Sequence, residues 1–277
     1  MPFLNIDPAQ IQSVIRQIAQ QELLPRFTRI KHSHKADGSI VTEADIAAQT
    51  SICKALTDAF PASVVLGEEM TAEEQAMLLA SDQPVWCIDP LDGTSNFAAG
   101  IPYFAISLAL IEHGEVTLGI VYDPMRDECF TAQKSKGQEI KVDLNGDILI
   151  NTQDDISLKN ATAIVDFKRL TNELASRIVT ERPFASQRNF GASALDWCWL
   201  ATGRGHVYLH GNQNLWDYAA GEMIFRASGG YASTLQGEKI YKNALIKRSV
   251  VAGINQSLYT QWANWLNLPV TSEVINR

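Results

Sequence analysis

The segment VWCIDPLDGTSNF (residues 85–97) restricts the possible folds of this chain more than any other. The apolar run VWCI reads as a buried strand, and it delivers Asp89 directly and Asp92 three residues later, across Pro90. Two carboxylates held this close repel each other, and without a cation one of them tends to stay protonated. A hard divalent cation relieves the repulsion, and Mg²⁺ prefers oxygen ligands. Gly93, Thr94 and Ser95 then open a short helix, whose free backbone N–H groups form a cradle for phosphate. A fold carrying this segment therefore buries a strand end that bears two acids beside an anion-binding turn.

The chain has 31 acidic residues, so most are ordinary surface charge. Three others stand where surface charge is not expected. Glu68 follows the apolar run SVVL beside Gly67. Asp45 is the acid of a Thr-x-x-Asp capping box that begins at Thr42. Asp217 lies between Trp216 and an apolar helix, with Asn214 as its cap. Each has a plain reading taken alone: a loop acid, a capping acid, and an acid favoured by the helix dipole. Their combination with Asp89 and Asp92 is what points to metal and phosphate chemistry.

The 277 residues and 46% hydrophobic content suffice for one large domain or two intimately packed halves. A net charge of −8 excludes a global basic footprint for nucleic acid. No apolar run reaches the ~18 residues of a membrane span, and no signal peptide is read at the N-terminus. Cys53, Cys87, Cys129 and Cys198 form no C-x-x-C pair; they read as small buried hydrophobes in a reducing cytoplasm.

Ile11, Val14, Ile15 and Ile18 predict an amphipathic helix ending near Pro25, and Ala48, Ile52, Ala55, Leu56 and Ala59 give the buried stripe of a second. Residues 103–113, 115–123 and ECFTAQ predict three antiparallel strands. A polar, less regular stretch at 134–160 suggests a boundary between halves 1–150 and 151–277. In the second half strands and helices alternate, which favours an α/β layered half beside a more antiparallel one.

Four blocks carry a family resemblance: DGSIVTEAD (37–45), LGEE (66–69), WCIDPLDGTSNF (86–97) and LWDYAAG (215–221). In this order they resemble the inositol monophosphatase family of metal-dependent, lithium-sensitive phosphatases. The resemblance implies a layered α-β-α-β-α sandwich, a homodimer, and two or three Mg²⁺ ions. It implies metal ligation by Glu68, Asp89, the Leu91 carbonyl, Asp92 and Asp217. Asp45 would contact a further metal or its waters, and Asp45 and Thr94, with Glu68, would act on the attacking water. Gly93, Thr94 and Ser95 would bind phosphate, and Gly191, Ala192 and Ser193 would line the substrate pocket.

One position departs from the pattern. Inositol-specific members place a glutamate seven residues before the aspartate of the WD block, and here that position is His210. A histidine cannot accept from two hydroxyls as a carboxylate does. His210, Asp166, Lys168, Arg169 and Arg188 are the candidates for specificity. The expected substrate is a small phosphorylated metabolite. Alternatives are a 3′(2′),5′-bisphosphate nucleotidase, a histidinol-phosphatase or a fructose-1,6-bisphosphatase of the same superfamily. A non-enzymatic role follows from relatives that partner the transcription machinery, though every ligand position is intact here.

Overall fold

A computed structural model describes residues 4–27, 32–34, 40–134, 140–149 and 156–269. Helix α1 (Pro8–Ile18) starts at Asp7, whose carboxylate accepts from the Ala9 N–H, and buries Ile11, Ile15 and Ile18. It continues through a π-turn, Ala19–Leu23, and stops before Pro25. Strands β1 (His32–His34) and β2 (Ile40–Thr42) form a small antiparallel pair leading into helix α2 (Glu43–Ala59). The Thr42–Asp45 capping box is present, and Ala44, Ala48, Ile52 and Leu56 are buried. The expected stripe runs one turn too far: Ala55 is half-buried and Ala59 exposed, because the helix ends there.

Seven strands form the first sheet: β3 (Val64–Gly67), β4 (Val85–Asp92), β5 (Ala105–Glu112), β6 (Glu115–Asp123), β7 (Glu128–Lys134), β8 (Ile140–Leu144) and β9 (Asp147–Ile148). Their spatial order is their chain order. β3 and β4 are parallel, joined through helix α3 (Ala72–Leu79), and the other described pairs are antiparallel. The short helix α4 (Thr94–Ala99) follows β4. Alternation along β4 and β5 sorts the side chains: Trp86, Ile88, Ile106, Leu108 and Leu110 face α1 and α2, while Val85, Cys87, Ala105, Ala109 and Ile111 join the opposite core. The polar stretch read as irregular thus contributes β8 and, at the edge of the sheet, β9, short strands whose composition hides their pairing. The 150/151 boundary lies outside the described residues.

The second sheet contains β10 (Thr162–Asp166), β11 (Ser186–Arg188), β12 (Val207–Gln213), β13 (Tyr231–Ser233) and β14 (Arg248–Gly253), in the order β11-β10-β12-β14-β13. β10 is parallel to β11 and β12, and β14 is antiparallel to both its neighbours. Helices α5 (Asn172–Glu181) and α8 (Gln256–Trp265) pack together, with the Arg177 guanidinium 4.1 Å from the Trp265 ring centre. Between the sheets lie α6 (Ser193–Ala201) and α7 (Leu215–Ala227), which are apolar and buried around most of their circumference. The layers are α-β-α-β-α, as the family resemblance implied.

The middle layer sits tightly on the first sheet. A Cβ on Gly119 of β6 would lie 2.8 Å from the Ala220 carbonyl oxygen of α7. That neighbour is backbone and cannot swing aside. Gly119→Ala is expected to cost about 1–3 kcal/mol by overpacking, and a thermal melt checks it.

Candidate active site

The strand that carries the acid pair is not regular at its end. In β4, Asp89 pairs with Ser107 and Asp92 with Ala105, so three steps on β4 oppose two on β5. In an unbroken strand, residues three apart point to opposite faces. The bulge at Pro90 inserts one extra residue and turns both carboxylates to the side of α6 and α7. Proline is tolerated there because a bulge leaves its position outside the ladder. Asp89, Leu91 and Asp92 are all buried.

Each acid is then held by backbone. Asp89 Oδ1 accepts from the Leu91 N–H at 3.0 Å. Asp92 accepts from the N–H groups of Ser193 (3.1 Å) and Ala194 (2.7 Å), the first residues of α6. Helix α6 has no side-chain cap of its own at Ala192, so Asp92 caps it from 101 residues away. Asp217 is the third residue of α7 and accepts from the Asn214 N–H at 2.8 Å. Glu68, half-buried just past β3, donates its N–H to the Ile88 carbonyl beside Asp89.

The electrostatics are unfavourable as they stand. Burial pushes the Asp89 carboxyl well above its ordinary range, and the charges of Glu68, Asp92 and Asp217 push it further. Burial also lifts Asp92, to about 7; the Ala194 and Ser193 N–H groups oppose this and Glu68 adds to it. Burial, then Asp92 and Glu68, raise Asp217, while Arg169 draws it down. Among the described residues, no group of three or more His, Cys, Asp or Glu side chains is gathered closely enough to close on an ion as it stands. The four acids are neighbours by field rather than by ligand distance. An all-oxygen donor set that repels itself fits a hard dication such as Mg²⁺, which would reverse the sign of every one of these interactions.

The turn after Asp92 completes the arrangement. Gly93 has φ +91°, and a Cβ there would lie 3.0 Å from both the Ala192 Cβ and the Tyr103 carbonyl oxygen. Thr94 Oγ1 lies 2.9 Å from Asp45 Oδ1 and 3.0 Å from the Leu91 carbonyl oxygen. Asp45 also accepts from the Thr42 N–H and hydroxyl. Burial raises its proton affinity against these bonds. Ser95 is exposed. Gly191 (φ +82°) lies against Asn96, whose side-chain N–H₂ donates to the carbonyls of Tyr103 and Phe190. Gly191, Ala192 and Ser193 are thereby brought against the Asp92–Thr94 turn.

A profile of the inositol monophosphatase family matches residues 3–267. The chain belongs to the inositol monophosphatase family. Among its relatives is the Nus factor SuhB of Escherichia coli K12, 31% identical, with 95% of each chain covered. Inositol monophosphatase 1 of Solanum lycopersicum is 36% identical, over 74% of this chain and 76% of the relative. The solved structure of an IMPase from Thermotoga maritima superposes with a TM-score of 0.80 at 27% identity, covering 98% of both chains. The inositol monophosphatase family fold therefore extends over nearly the whole chain.

Two specificity candidates are placed differently from the acids. Arg188 ends β11, and its guanidinium turns back to Ser186 Oγ (2.6 Å) and the Gln187 carbonyl (2.8 Å). His210 does not end its strand, which continues to Gln213; it is buried, with Nε2 3.2 Å from Asp166 Oδ2. Sequence reasoning missed Asp196, a buried acid on α6 that accepts from Tyr103 (3.0 Å) and Tyr208 (3.3 Å). An acid inside the apolar run ASALDWCWLA was the available signal.

Proposed function

We propose that this protein is a Mg²⁺-dependent phosphatase that hydrolyses a small phosphate monoester with water. The observation that supports this best is the convergence of buried Asp89 and Asp92 with half-buried Asp217 and Glu68 at one mutually repelling centre. Glu68, Asp89, the Leu91 carbonyl, Asp92 and Asp217 would hold the ions. Bound there, Mg²⁺ would neutralise phosphoryl charge and make water more acidic. The backbone N–H groups of Gly93, Thr94 and Ser95 would receive phosphoryl oxygens. With Thr94 donating to Asp45, its lone pairs can orient a water, and the proton that water loses can pass to Thr94 Oγ1 as the Thr94 proton passes to Asp45. No covalent intermediate is needed, because phosphoryl transfer requires mainly positioning and charge compensation.

Initial rates of phosphate release provide the test. Inositol 1-phosphate, a sugar bisphosphate, a nucleoside 3′,5′-bisphosphate and histidinol phosphate form the panel, with Mg²⁺ or with chelator. Release that depends on Mg²⁺ is expected; equal rates in chelator would sink the metal mechanism. The panel also separates the monoester reading from the bisphosphatase and histidinol-phosphatase alternatives. Homodimerisation and inhibition by Li⁺ belong to the same proposal, checked by sedimentation and by titration.

Kinship with SuhB, a Nus factor, favours a second reading, an interaction role. A stoichiometric partner recovered on the purified protein, with no phosphate released from the panel, would favour it over the first.

A further inference from the structure

The place where inositol-specific relatives carry a glutamate is occupied here by a histidine that has no ring nitrogen to spare. Nδ1 of His210 accepts the Asn212 N–H at 3.1 Å, which puts the ring proton on Nε2. Nε2 then faces Asp166 Oδ2 at 3.2 Å. His210 is buried, whereas the Asp166 side chain retains 20% exposure. The polar group this pair offers to a ligand is therefore a carboxylate, one strand away from its position in those relatives.

The fold puts that carboxylate on the right rim. β10, β11 and β12 are parallel, with Asp166 directly opposite His210 in register. Asp166 is the last residue of β10 and so stands at the carboxyl edge of an α/β sheet, where ligands bind, while His210 lies midway along β12. From that edge β12 passes through Asn214 into α7, whose first turn carries Asp217. The turn after β10 also lies on β12. A Cβ on Gly211 would sit 1.6 Å from the Arg169 carbonyl oxygen, so only glycine lets this turn dock.

We propose that Asp166, set beside His210, is the hydroxyl-accepting residue of the substrate pocket. This rests on the phosphatase reading above and deepens it. Oδ1 takes the Lys168 N–H at 2.8 Å and Oδ2 faces His210. Each carboxylate oxygen has about two acceptor sites, so one on each remains for adjacent hydroxyls.

The test compares kcat/KM for inositol 1-phosphate with kcat/KM for phenyl phosphate, which has no hydroxyls, in Mg²⁺. Asp166→Ala is expected to lower this ratio at least tenfold, through a raised KM for inositol 1-phosphate. His210→Gln, whose amide still offers a donor to Asp166, is expected to lower it less than threefold. Melting curves and the affinity for inorganic phosphate accompany both variants, to separate lost recognition from lost folding. An unchanged ratio in Asp166→Ala, or a His210→Gln ratio that falls as far, overturns the proposal while leaving the phosphatase reading intact. A wild-type protein that releases phosphate from neither ester overturns that reading, and this proposal with it.

Discussion

Asp89→Asn is expected to remove about three orders of magnitude of Mg²⁺-dependent phosphate release while raising the melting temperature of the metal-free protein. The two effects have one cause. Asp89 is buried among three other acids and receives one backbone hydrogen bond, from Leu91. Without a cation nothing repays the desolvation of its ionised form, so the carboxyl holds a proton more tightly than usual, at a cost to the fold. Asparagine keeps an acceptor for the Leu91 N–H and removes the repulsion, so the empty site relaxes. The same change deletes an anionic oxygen ligand, and lost charge compensation in a metal site costs several kcal/mol of transition-state stabilisation. Turnover with limiting Mg²⁺ and a melt in chelator read the two halves. Wild-type turnover, or a lower melting temperature in chelator, would contradict the assignment of Asp89.

The second large effect is a pH dependence that reverses the usual one. Asp92 has an unfolded-state value near 3.8 and is raised to about 7 by burial; Asp89 and Asp217 are raised as well. Between those limits the folded protein holds protons that the unfolded chain releases. Stability therefore falls as pH rises, because the native state binds the excess protons. In chelator the melting temperature is expected to be higher near pH 5.5 than near pH 8, by roughly 5 °C or more for a few kcal/mol in a chain of this size. Below about pH 4 the trend turns. Burial of Asp166 is outweighed there by His210, the Lys168 N–H and Arg169 together, which lower its pKa, and that contribution is lost on protonation. Mg²⁺ must displace the shared protons, so its stabilising effect is expected to grow with pH. Melts across pH with and without Mg²⁺ check this. A metal-free protein more stable at pH 8 than at pH 5.5 would mean the acids are not gathered in solution.

What the sequence made legible is what local chemistry determines. The Thr42–Asp45 capping box, the apolar runs that become the strands at 64–67 and 85–88, and the α1 stripe were readable because residues within one turn or one strand decide them. The family blocks named candidate site residues without giving their geometry. The bulge at Pro90 was not legible, because it exists only relative to Ser107 and Ala105 on β5. The Asp92 bonds to Ser193 and Ala194 join residues a hundred positions apart. β9 and β11 are two and three residues long and gain their structure from neighbours rather than from their own pattern. His210 was read as a group facing substrate, and its commitment to Asp166 depends on the parallel register of β10 and β12.

Because Asp92 terminates a helix as well as belonging to the acid cluster, the catalytic and architectural demands on this chain cannot be fully decoupled. A descendant that abandoned turnover to serve purely as a scaffold could discard Asp89 and gain rigidity. Discarding Asp92 would untie the start of α6, the layer that joins both sheets, so an inactive offshoot of this lineage would be obliged to carry a vestige of its former chemistry.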